Sequence, residues 1–258
     1  MELIEATKFY VRHREGYPET VLGDYAQRGF TECGVQLESF EWIDDIDEIP
    51  DLGSHVGVAG YIGDVHRALT RLNRPIPVNV DYPGPLHHVL GRTVRRGILG
   101  DVRASNTPVF IKPVKHKEFT GFVWYNRLED RRRIVTQPDD VEVWISDFVY
   151  FRAEFRSYIL KNVILDVRIY KGDWSLAPNR RVVEDSVALM AQTKQAPWAY
   201  CLDWGVDESG RTLLVEMNDG YAMGHYGLNP ALYARMLSAR WYEMATEGLK
   251  VHATTSID

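Results

Sequence analysis

The chain has 258 residues, of which 45% are apolar, 12% aromatic and 26% charged, and its formal net charge is −6. This length allows one large domain or two small ones, and the composition is typical of a globular protein. An acidic chain offers no basic surface for DNA or RNA, and no apolar run approaches the roughly 18 residues of a membrane span, so we expect neither nucleic acid nor a membrane as partner.

The two cysteines, Cys33 and Cys201, lie far apart and in no spacing typical of metal ligands. An extracellular disulfide framework needs more cysteines than this. The first residues also lack the basic segment and apolar stretch of a signal peptide. We therefore expect a cytoplasmic protein, and the sequence gives no prediction of its oligomeric state.

The first third of the chain alternates strand and helix signals. Residues 35–40 alternate with a period of two, and the small apolar residues 55–60 are typical of a buried parallel strand. Residues 64–72 place apolar side chains on one helical face, with Asp64 as the predicted N-cap. Residues 76–80 follow as a short strand. Strands that alternate with helices predict a small α/β domain with a parallel sheet.

Two prolines and a glycine within residues 81–85 mark a predicted domain boundary. We place the α/β domain at residues 1–84 and a second domain at residues 85–258. The second domain begins with a predicted helix over residues 86–99, which Gly100 ends.

From about residue 107 the chain becomes rich in β-branched and aromatic residues, which favour strands. The predicted elements are strands at 109–113, 121–125, 141–145, 155–160 and 163–170, a helix at 182–193, strands at 198–206 and 212–217, and a helix at 230–248. Hairpin turns are predicted at 161–162 and 207–210. The second domain is therefore predicted to be an α+β unit of antiparallel hairpins.

The first candidate site feature is Lys112, which ends an apolar strand just before a proline. A lysine there can hold a nucleotide phosphate as a point charge, although it can also simply reach water. The loop that follows carries Lys117, Thr120 and Gly121, and it is a candidate cover for the phosphates. A solvated hairpin would have a similar composition.

The second feature is an arginine-bearing pair of strands. Alternation places Glu154, Arg156 and Tyr158 on one face of the sheet, and Arg168 lies in the next strand. Arg156 can bind a phosphate or carboxylate through two hydrogen bonds. The alternative is a cross-strand pair of Glu154 with Arg168, which stabilises little when it is exposed.

The third feature is an acidic hairpin. Glu216 and Asn218 are two residues apart on one strand and therefore share a face, and Asp203 on the partner strand can lie opposite them. Two carboxylates and an amide oxygen form a site suited to Mg²⁺ that bridges the phosphates of ATP. The alternative is an ordinary polar strand end.

The order of these features resembles the ATP-grasp superfamily, and in particular its divergent bacterial and phage clade named for one arginine and two lysines. The resemblance covers roughly residues 85–227. It lies in the segments Phe110-Ile111-Lys112-Pro113, Lys117-Glu118-Phe119-Thr120-Gly121, Glu154-Phe155-Arg156, Leu202-Asp203 and Glu216-Met217-Asn218-Asp219-Gly220.

The resemblance implies an ATP-grasp fold, with a small α/β domain before two α+β subdomains that bind Mg-ATP between them. It implies that Lys112 contacts the α- and β-phosphates and that Lys117, with Thr120 and Gly121, closes over the triphosphate. Arg156 and Arg168 are implied to steady the γ-phosphoryl group.

The same resemblance assigns the nucleotide's other contacts. It implies a hinge of Val143, Trp144 and Ile145 whose backbone meets adenine, with Asp147 near the ribose. Asp203, Glu216 and Asn218 are implied to bind one or two Mg²⁺ ions.

The implied activity is an ATP-dependent carboxylate–amine ligation through an acylphosphate. The expected substrates are small molecules or peptides that carry a carboxylate and an amine, and their identity is not predicted. Two alternatives stay open at this point: an ATP-grasp kinase of small molecules and a non-catalytic ATP-binding scaffold.

Overall fold

The computed structural model describes residues 4–115, 118–193 and 196–247. Within these ranges the chain forms an N-terminal sheet, a small sheet and a large sheet, each of four strands, with helices packed around them. None of the described helices is long and apolar enough to cross a membrane.

The N-terminal unit is an α/β layer around a parallel sheet. Its elements are β1 (Lys8–Arg14), β2 (Tyr17–Pro18), α1 (Val21–Glu32), β3 (Gln36–Phe40), β4 (Val56–Ala59) and α2 (Ile62–Arg71). Strand β1 is central and pairs in parallel with β3 and β4, as predicted. Asp64 is the third residue of α2 and not its N-cap, and its carboxylate accepts from the backbone N–H of Tyr61 at 2.8 Å.

The segment that leaves this unit, residues 75–83, is named the connector here. The strand predicted over residues 76–80 is wrong, because this part of the connector belongs to no described strand. Pro75 and Pro77 provide a physical reason, since proline has no backbone N–H to donate to a ladder.

The small sheet follows the connector and a 3-10 turn at Gly84–Val89. Its elements are β5 (Val94–Ile98), α3 (Leu99–Ala104), β6 (Val109–Pro113), β7 (Phe122–Trp124), α4 (Leu128–Arg133) and β8 (Glu142–Ser146). The strands lie in the order β5-β8-β6-β7, and the neighbouring strands are antiparallel.

The helix predicted over residues 86–99 is therefore wrong. Gly91 adopts a φ of +61°, which ends any helical path, and the residues after it form β5 against β8. Gly100 lies inside α3 and ends no helix there. The apolar residues in this stretch fit the period of a helix and that of a strand equally well. Pairing with β8, more than 40 positions away in the chain, decides in favour of a strand.

The large sheet carries the second set of predicted hairpins. Its elements are β9 (Phe151–Leu160), β10 (Val163–Gly172), α5 (Arg180–Gln192), β11 (Ala199–Asp207) and β12 (Thr212–Asp219), followed by α6 (Pro230–Thr246). The strand order is β10-β9-β11-β12, and all neighbours are antiparallel. Lys161 and Asn162 both have positive φ angles, of 47° and 66°, as a tight two-residue hairpin turn requires.

One apolar core joins the two ends of the chain. It contains Phe9 and Phe30 of the N-terminal unit together with Trp241 of α6. Helix α6 lies so close to α1 that a Cβ on Gly29 would be 1.9 Å from the carbonyl oxygen of Pro230. Residues on both sides of the predicted boundary thus share a core, and a division of the chain at residue 84 stays a prediction.

Candidate functional site

The candidate site lies where the small sheet faces the edge of the large sheet. Arg96 on β5, Trp144 on β8 and Lys112 on β6 occupy paired register positions and form one row across the small sheet. On the large sheet, Asp203 of β11 lies opposite Glu216 of β12. Side chains from both sheets meet in the space between them.

Lys112 bridges the two sheets. Its Nζ donates to the carboxylate of Asp81 and to Oε2 of Glu216, the latter at 2.5 Å. Burial opposes its charge, but the two carboxylates outweigh burial and raise the pKa of Lys112 above its ordinary value. The Lys112 cation in turn outweighs the effect of burial on Glu216 and lowers the pKa of that carboxyl. Lys112 is therefore a fixed cation that can exchange a carboxylate for a phosphate.

Asp81 anchors this lysine, and sequence reasoning did not identify it as a site residue. Its side chain is buried, and its two oxygens accept from Trp144 Nε1 at 2.7 Å and from Asn79 Nδ2 at 2.9 Å. Its carbonyl oxygen accepts from the backbone N–H of Met217 at 2.8 Å, so the connector lies along β12. In the sequence, Asp81 is distinguished as an acidic residue in an apolar stretch that prolines flank.

Arg156 and Asp203 form a buried ion pair across neighbouring strands β9 and β11. The Nε and Nη2 of Arg156 each donate to one oxygen of Asp203, both at 2.7 Å. Burial raises the pKa of Asp203 to about 6, while the bonds from Arg156 oppose that rise. The pair fixes the guanidinium plane, and Nη1 faces the carbonyl oxygen of Gly224 at 3.4 Å.

Asn218 connects the ion pair to the lysine. Its Nδ2 lies 3.2 Å from Oδ2 of Asp203 and 3.2 Å from Oε1 of Glu216. A continuous series of contacts therefore runs from Lys112 through Glu216, Asn218 and Asp203 to Arg156. These five residues are among those that the sequence predicted, and the structure brings them together.

The donor set at this point fits a magnesium ion in part. Glu216 and Asn218 project a carboxylate and an amide from one face of β12, and these are the oxygen ligands that Mg²⁺ prefers. Both oxygens of Asp203 accept from Arg156, and the oxygens of Glu216 accept from Lys112 and Asn218, so a bound ion would share these carboxylates with their present donors. Within the described ranges, no group of three or more His, Cys, Asp and Glu side chains could hold a metal. The arrangement suits an ion that two protein residues share with phosphate oxygens.

Two tyrosines, Tyr170 of β10 and Tyr226 of the loop after β12, cover Arg156. The rings of Tyr170 and Tyr226 stack with centroids 4.8 Å apart, and the Arg156 guanidinium lies 5.0 Å from the Tyr226 centroid. Tyr226 has a φ of +40°, a conformation that L-residues rarely adopt. Tyr226 lies in the glycine- and aromatic-rich loop that follows β12.

The predicted hinge residues separate into two groups. Val143 and Ile145 are buried in the core of the small sheet, while Trp144 points to the opposite face and joins the site. Asp147 follows β8, and its carboxylate accepts from the backbone N–H of Thr93 at 3.0 Å. The link between the sheets is therefore residues 147–150, just after β8 ends.

The predicted phosphate loop is only partly described, because Lys117 lies outside the described residues. Thr120 is exposed. A Cβ on Gly121 would lie 2.9 Å from Cβ of Lys112, so this glycine lets the loop approach the lysine strand closely.

Arg168 stands apart from these contacts. It lies on β10 opposite Arg156, and its guanidinium pairs at 2.5 Å with Asp166 on its own strand. The side chain is 44% exposed. The structure therefore does not bring Arg168 into the series of contacts around Lys112.

Arg92 is a half-buried cation that the sequence analysis overlooked. Its guanidinium donates to the carbonyl oxygens of Leu214 and Val215, at 2.7 and 2.9 Å. Burial lowers its pKa. Arg92 thereby fastens the start of β5 to β12 just before Glu216.

Comparison with known families identifies this arrangement. Residues 89–236, more than half of the chain, match the model of an ATP-grasp domain, family 2 of the clade named for one arginine and two lysines. The match confirms the predicted family resemblance and fold class. Among curated proteins no sequence matches the chain.

Solved structures share the fold at low sequence identity. D-cycloserine synthetase DcsG is 13% identical, with a TM-score of 0.57 over 91% of this chain and 99% of that one. D-alanine–D-alanine ligase from Bacillus anthracis is 13% identical, with a TM-score of 0.53 over 95% and 98% of the two chains. The ADP complex of purK, an N5-carboxyaminoimidazole ribonucleotide synthetase, is 11% identical, with a TM-score of 0.61 over 92% and 78%. At these identities the likeness concerns the fold alone.

Proposed function

The chain belongs to family 2 of the ATP-grasp clade named for one arginine and two lysines, and on that premise we propose that it is an ATP-dependent carboxylate–amine ligase. The observation that carries the proposal is the series of contacts from Lys112 to Arg156 across the two sheets. It combines a lysine for phosphate, an oxygen set for Mg²⁺ and an oriented arginine within one cleft. The ligase and the two synthetases among the structural neighbours are consistent with this activity.

The proposed first step is phosphorylation of a substrate carboxylate. One carboxylate oxygen attacks the γ-phosphorus of ATP, and ADP leaves with the electron pair of the broken P–O bond. Lys112 offsets phosphate charge, and Asp81 with Trp144 holds the lysine in place. Glu216 and Asn218 would hold Mg²⁺, which when bound would supply positive charge against the phosphates.

The proposed second step forms the new bond. An amine attacks the activated carbonyl carbon, inorganic phosphate leaves, and the amine nitrogen loses a proton. Arg156 stabilises negative charge at this end of the cleft, because Asp203 fixes its guanidinium plane. The substrates are small molecules or peptides, and the loop over residues 118–121 is the proposed shield against water.

The other residues that the sequence predicted to bind the nucleotide are proposed to act farther from Lys112 and Arg156. The resemblance assigned the nucleoside to the backbone of Val143, Trp144 and Ile145 and to Asp147. Because β8 is paired with a strand on each side, we propose that Asp147 and the link after β8 make this contact instead, and Trp144 contributes its side chain to the cleft wall. Lys117 is proposed to bind the phosphates, and Arg168, which lies outside the series of contacts, is proposed to approach them when the cleft closes.

The proposal is tested by incubating the protein with Mg-ATP and pools of carboxylic acids, amines and small peptides. ADP and inorganic phosphate are both measured, for the wild type and for Lys112→Ala and Asp203→Ala. Lys161→Ala is a matched control, since this lysine lies at the β9–β10 turn and pairs with Glu5. If the protein is a ligase, ADP and phosphate appear together, and only with particular pairs of acid and amine. Neither Lys112→Ala nor Asp203→Ala releases them.

Other outcomes separate the alternatives. A stable phosphorylated product without release of phosphate would identify a small-molecule kinase. Binding of ATP without turnover in any pool would favour the ATP-binding scaffold. Absence of ATP binding would contradict all three functions.

A further inference from the structure

A cavity of 620 Å³ opens beside the candidate nucleotide site. The N-terminal unit contributes Arg12 and Asp64 to its lining, the connector contributes Asn79, and the small sheet contributes Arg96 and Lys115. Its volume lies in the range of small-molecule sites. The proposed function uses none of these side chains.

The cations of this cavity differ in how they are neutralised. Arg12 pairs with Asp64 at 2.6 Å and also with Glu19. Within the part of the chain that the structure describes, Arg96 and Lys115 have no carboxylate at ion-pair distance. The cavity therefore holds two cations in excess, although the whole chain carries a net charge of −6. Such a local field attracts an anion.

Arg96 is also oriented. Its guanidinium lies 4.9 Å from the centroid of the Trp144 ring, which supports it from below. The Trp144 ring is itself held by the hydrogen bond that its Nε1 donates to Asp81, so the arginine packs on a fixed ring. A planar guanidinium on an aromatic ring presents its N–H groups edge-on, as recognition of a carboxylate requires.

The cavity lies at a defined separation from the phosphate-binding lysine. Arg96, Trp144 and Lys112 occupy paired positions on three adjacent strands. Neighbouring strands are about 4.8 Å apart, and Arg96 and Lys112 are two strands apart. Their Cα atoms are therefore separated by roughly 10 Å across the sheet. A small acid can span this separation.

We propose that the acid substrate of this enzyme carries a second carboxylate, which Arg96 binds together with Lys115. The first carboxylate then points past Lys112 toward the γ-phosphate, which the proposed first step transfers. Arg96 is thus a specificity-determining residue that selects dicarboxylic over monocarboxylic acids. The inference depends on the proposed ligase function, because that function requires an acid substrate.

The test measures binding of glutarate and of its monoamide, glutaramate, to the full chain in the presence of Mg-ATP. The two probes match in size and differ by one charge. Charged hydrogen bonds predict that glutarate binds at least about tenfold more tightly than glutaramate. In Arg96→Gln this preference is lost. Arg95→Gln removes the same charge from the neighbouring position, whose side chain points to the opposite face of β5, and keeps the preference.

Three results would overturn the inference: equal binding of the two probes, no binding of either, or a preference that survives in Arg96→Gln. The affinity for Mg-ATP, measured separately, is expected to be the same in Arg96→Gln and wild type. A loss of ATP affinity in this variant would place Arg96 in the nucleotide site instead. Failure of the wild type to bind ATP would contradict the proposed function itself, whereas ATP binding without a preference for glutarate contradicts only the substrate class.

Discussion

Lys112 and Glu216 belong to different sheets, yet Nζ of the lysine lies 2.5 Å from Oε2 of the glutamate. The contact joins the small sheet to the strand that carries the proposed magnesium ligands. Since Asp81 binds the same lysine, two carboxylates share one half-buried cation. Nucleotide phosphate must therefore compete with groups of the protein for Lys112, which makes these carboxylates sensitive points for both stability and binding.

The first prediction concerns Asp81. Replacing it by Asn keeps its size but removes a charge that Lys112 needs, and it leaves Trp144 or Asn79 with a poorer acceptor. We expect the free energy of unfolding to fall by about 1–3 kcal/mol, as measured by urea denaturation. Asp51→Asn is the matched control, because Asp51 is 44% exposed in its pair with Lys8 and its loss should destabilise the fold far less. Equal effects of the two substitutions would show that Asp81 does not anchor the lysine.

The second prediction concerns the Arg156–Asp203 pair. Asp203→Asn leaves a buried guanidinium without its counter-ion, and such a loss costs about 3–5 kcal/mol of stability. The double variant Arg156→Met with Asp203→Leu removes both charges and should recover most of that stability. Neither variant should hydrolyse ATP in the presence of substrates. Chemical denaturation and ADP release measure the two properties separately, and a double variant less stable than Asp203→Asn would contradict the account.

The third prediction is a pH dependence from Glu216. Its pKa is lowered in the folded protein, so its ionised form stabilises the fold at pH values above its unfolded pKa of about 4.3. This contribution is lost as the pH falls through the lower, folded pKa. The stability difference between wild type and Glu216→Gln should therefore be largest near neutral pH and shrink in acid. A difference that grows as the pH falls would mean that the Lys112 contact does not favour the ionised carboxylate.

The fourth prediction tests the core that α6 shares with α1. Gly29→Ala places a Cβ against the backbone of Pro230, and the overpacking should cost about 1–3 kcal/mol. Gly63→Ala is the control, because a Cβ there meets only Ile43 Cδ1, at 3.9 Å, and alanine favours helix α2 by up to about 1 kcal/mol. Thermal unfolding compares the two. If both variants are equally stable, α6 is not packed on α1 as described.

Features with a local cause could be predicted from the sequence. The two-residue spacing of Glu216 and Asn218 places them on one face whatever the tertiary structure, and the hairpin at Lys161-Asn162 follows from its turn residues. The strand alternation that placed Arg156 and Tyr158 on one face also agrees with the structure, since both side chains contact the carbonyl oxygen of Gly224.

Features with a distant cause could not be predicted in the same way. Asp81 lies 31 positions from Lys112 and 63 from Trp144, and its importance arises only when the connector runs along β12. Strand β5 was predicted as a helix because its partner β8 is remote in the chain. Tyr226 covers Arg156 from 70 positions away, and no local pattern indicates that contact.

The most direct test of the central claim is the dissociation constant of Mg-ATP for the wild type and for Lys112→Ala, measured by isothermal titration calorimetry, with Lys161→Ala as control. If Lys112 binds the phosphates, its loss should weaken ATP binding by about 10- to 100-fold, the value of a charge-assisted hydrogen bond, while the control binds as the wild type does. Equal ATP affinity in Lys112→Ala and wild type, with both proteins folded, would contradict the assignment of this cleft as the nucleotide site.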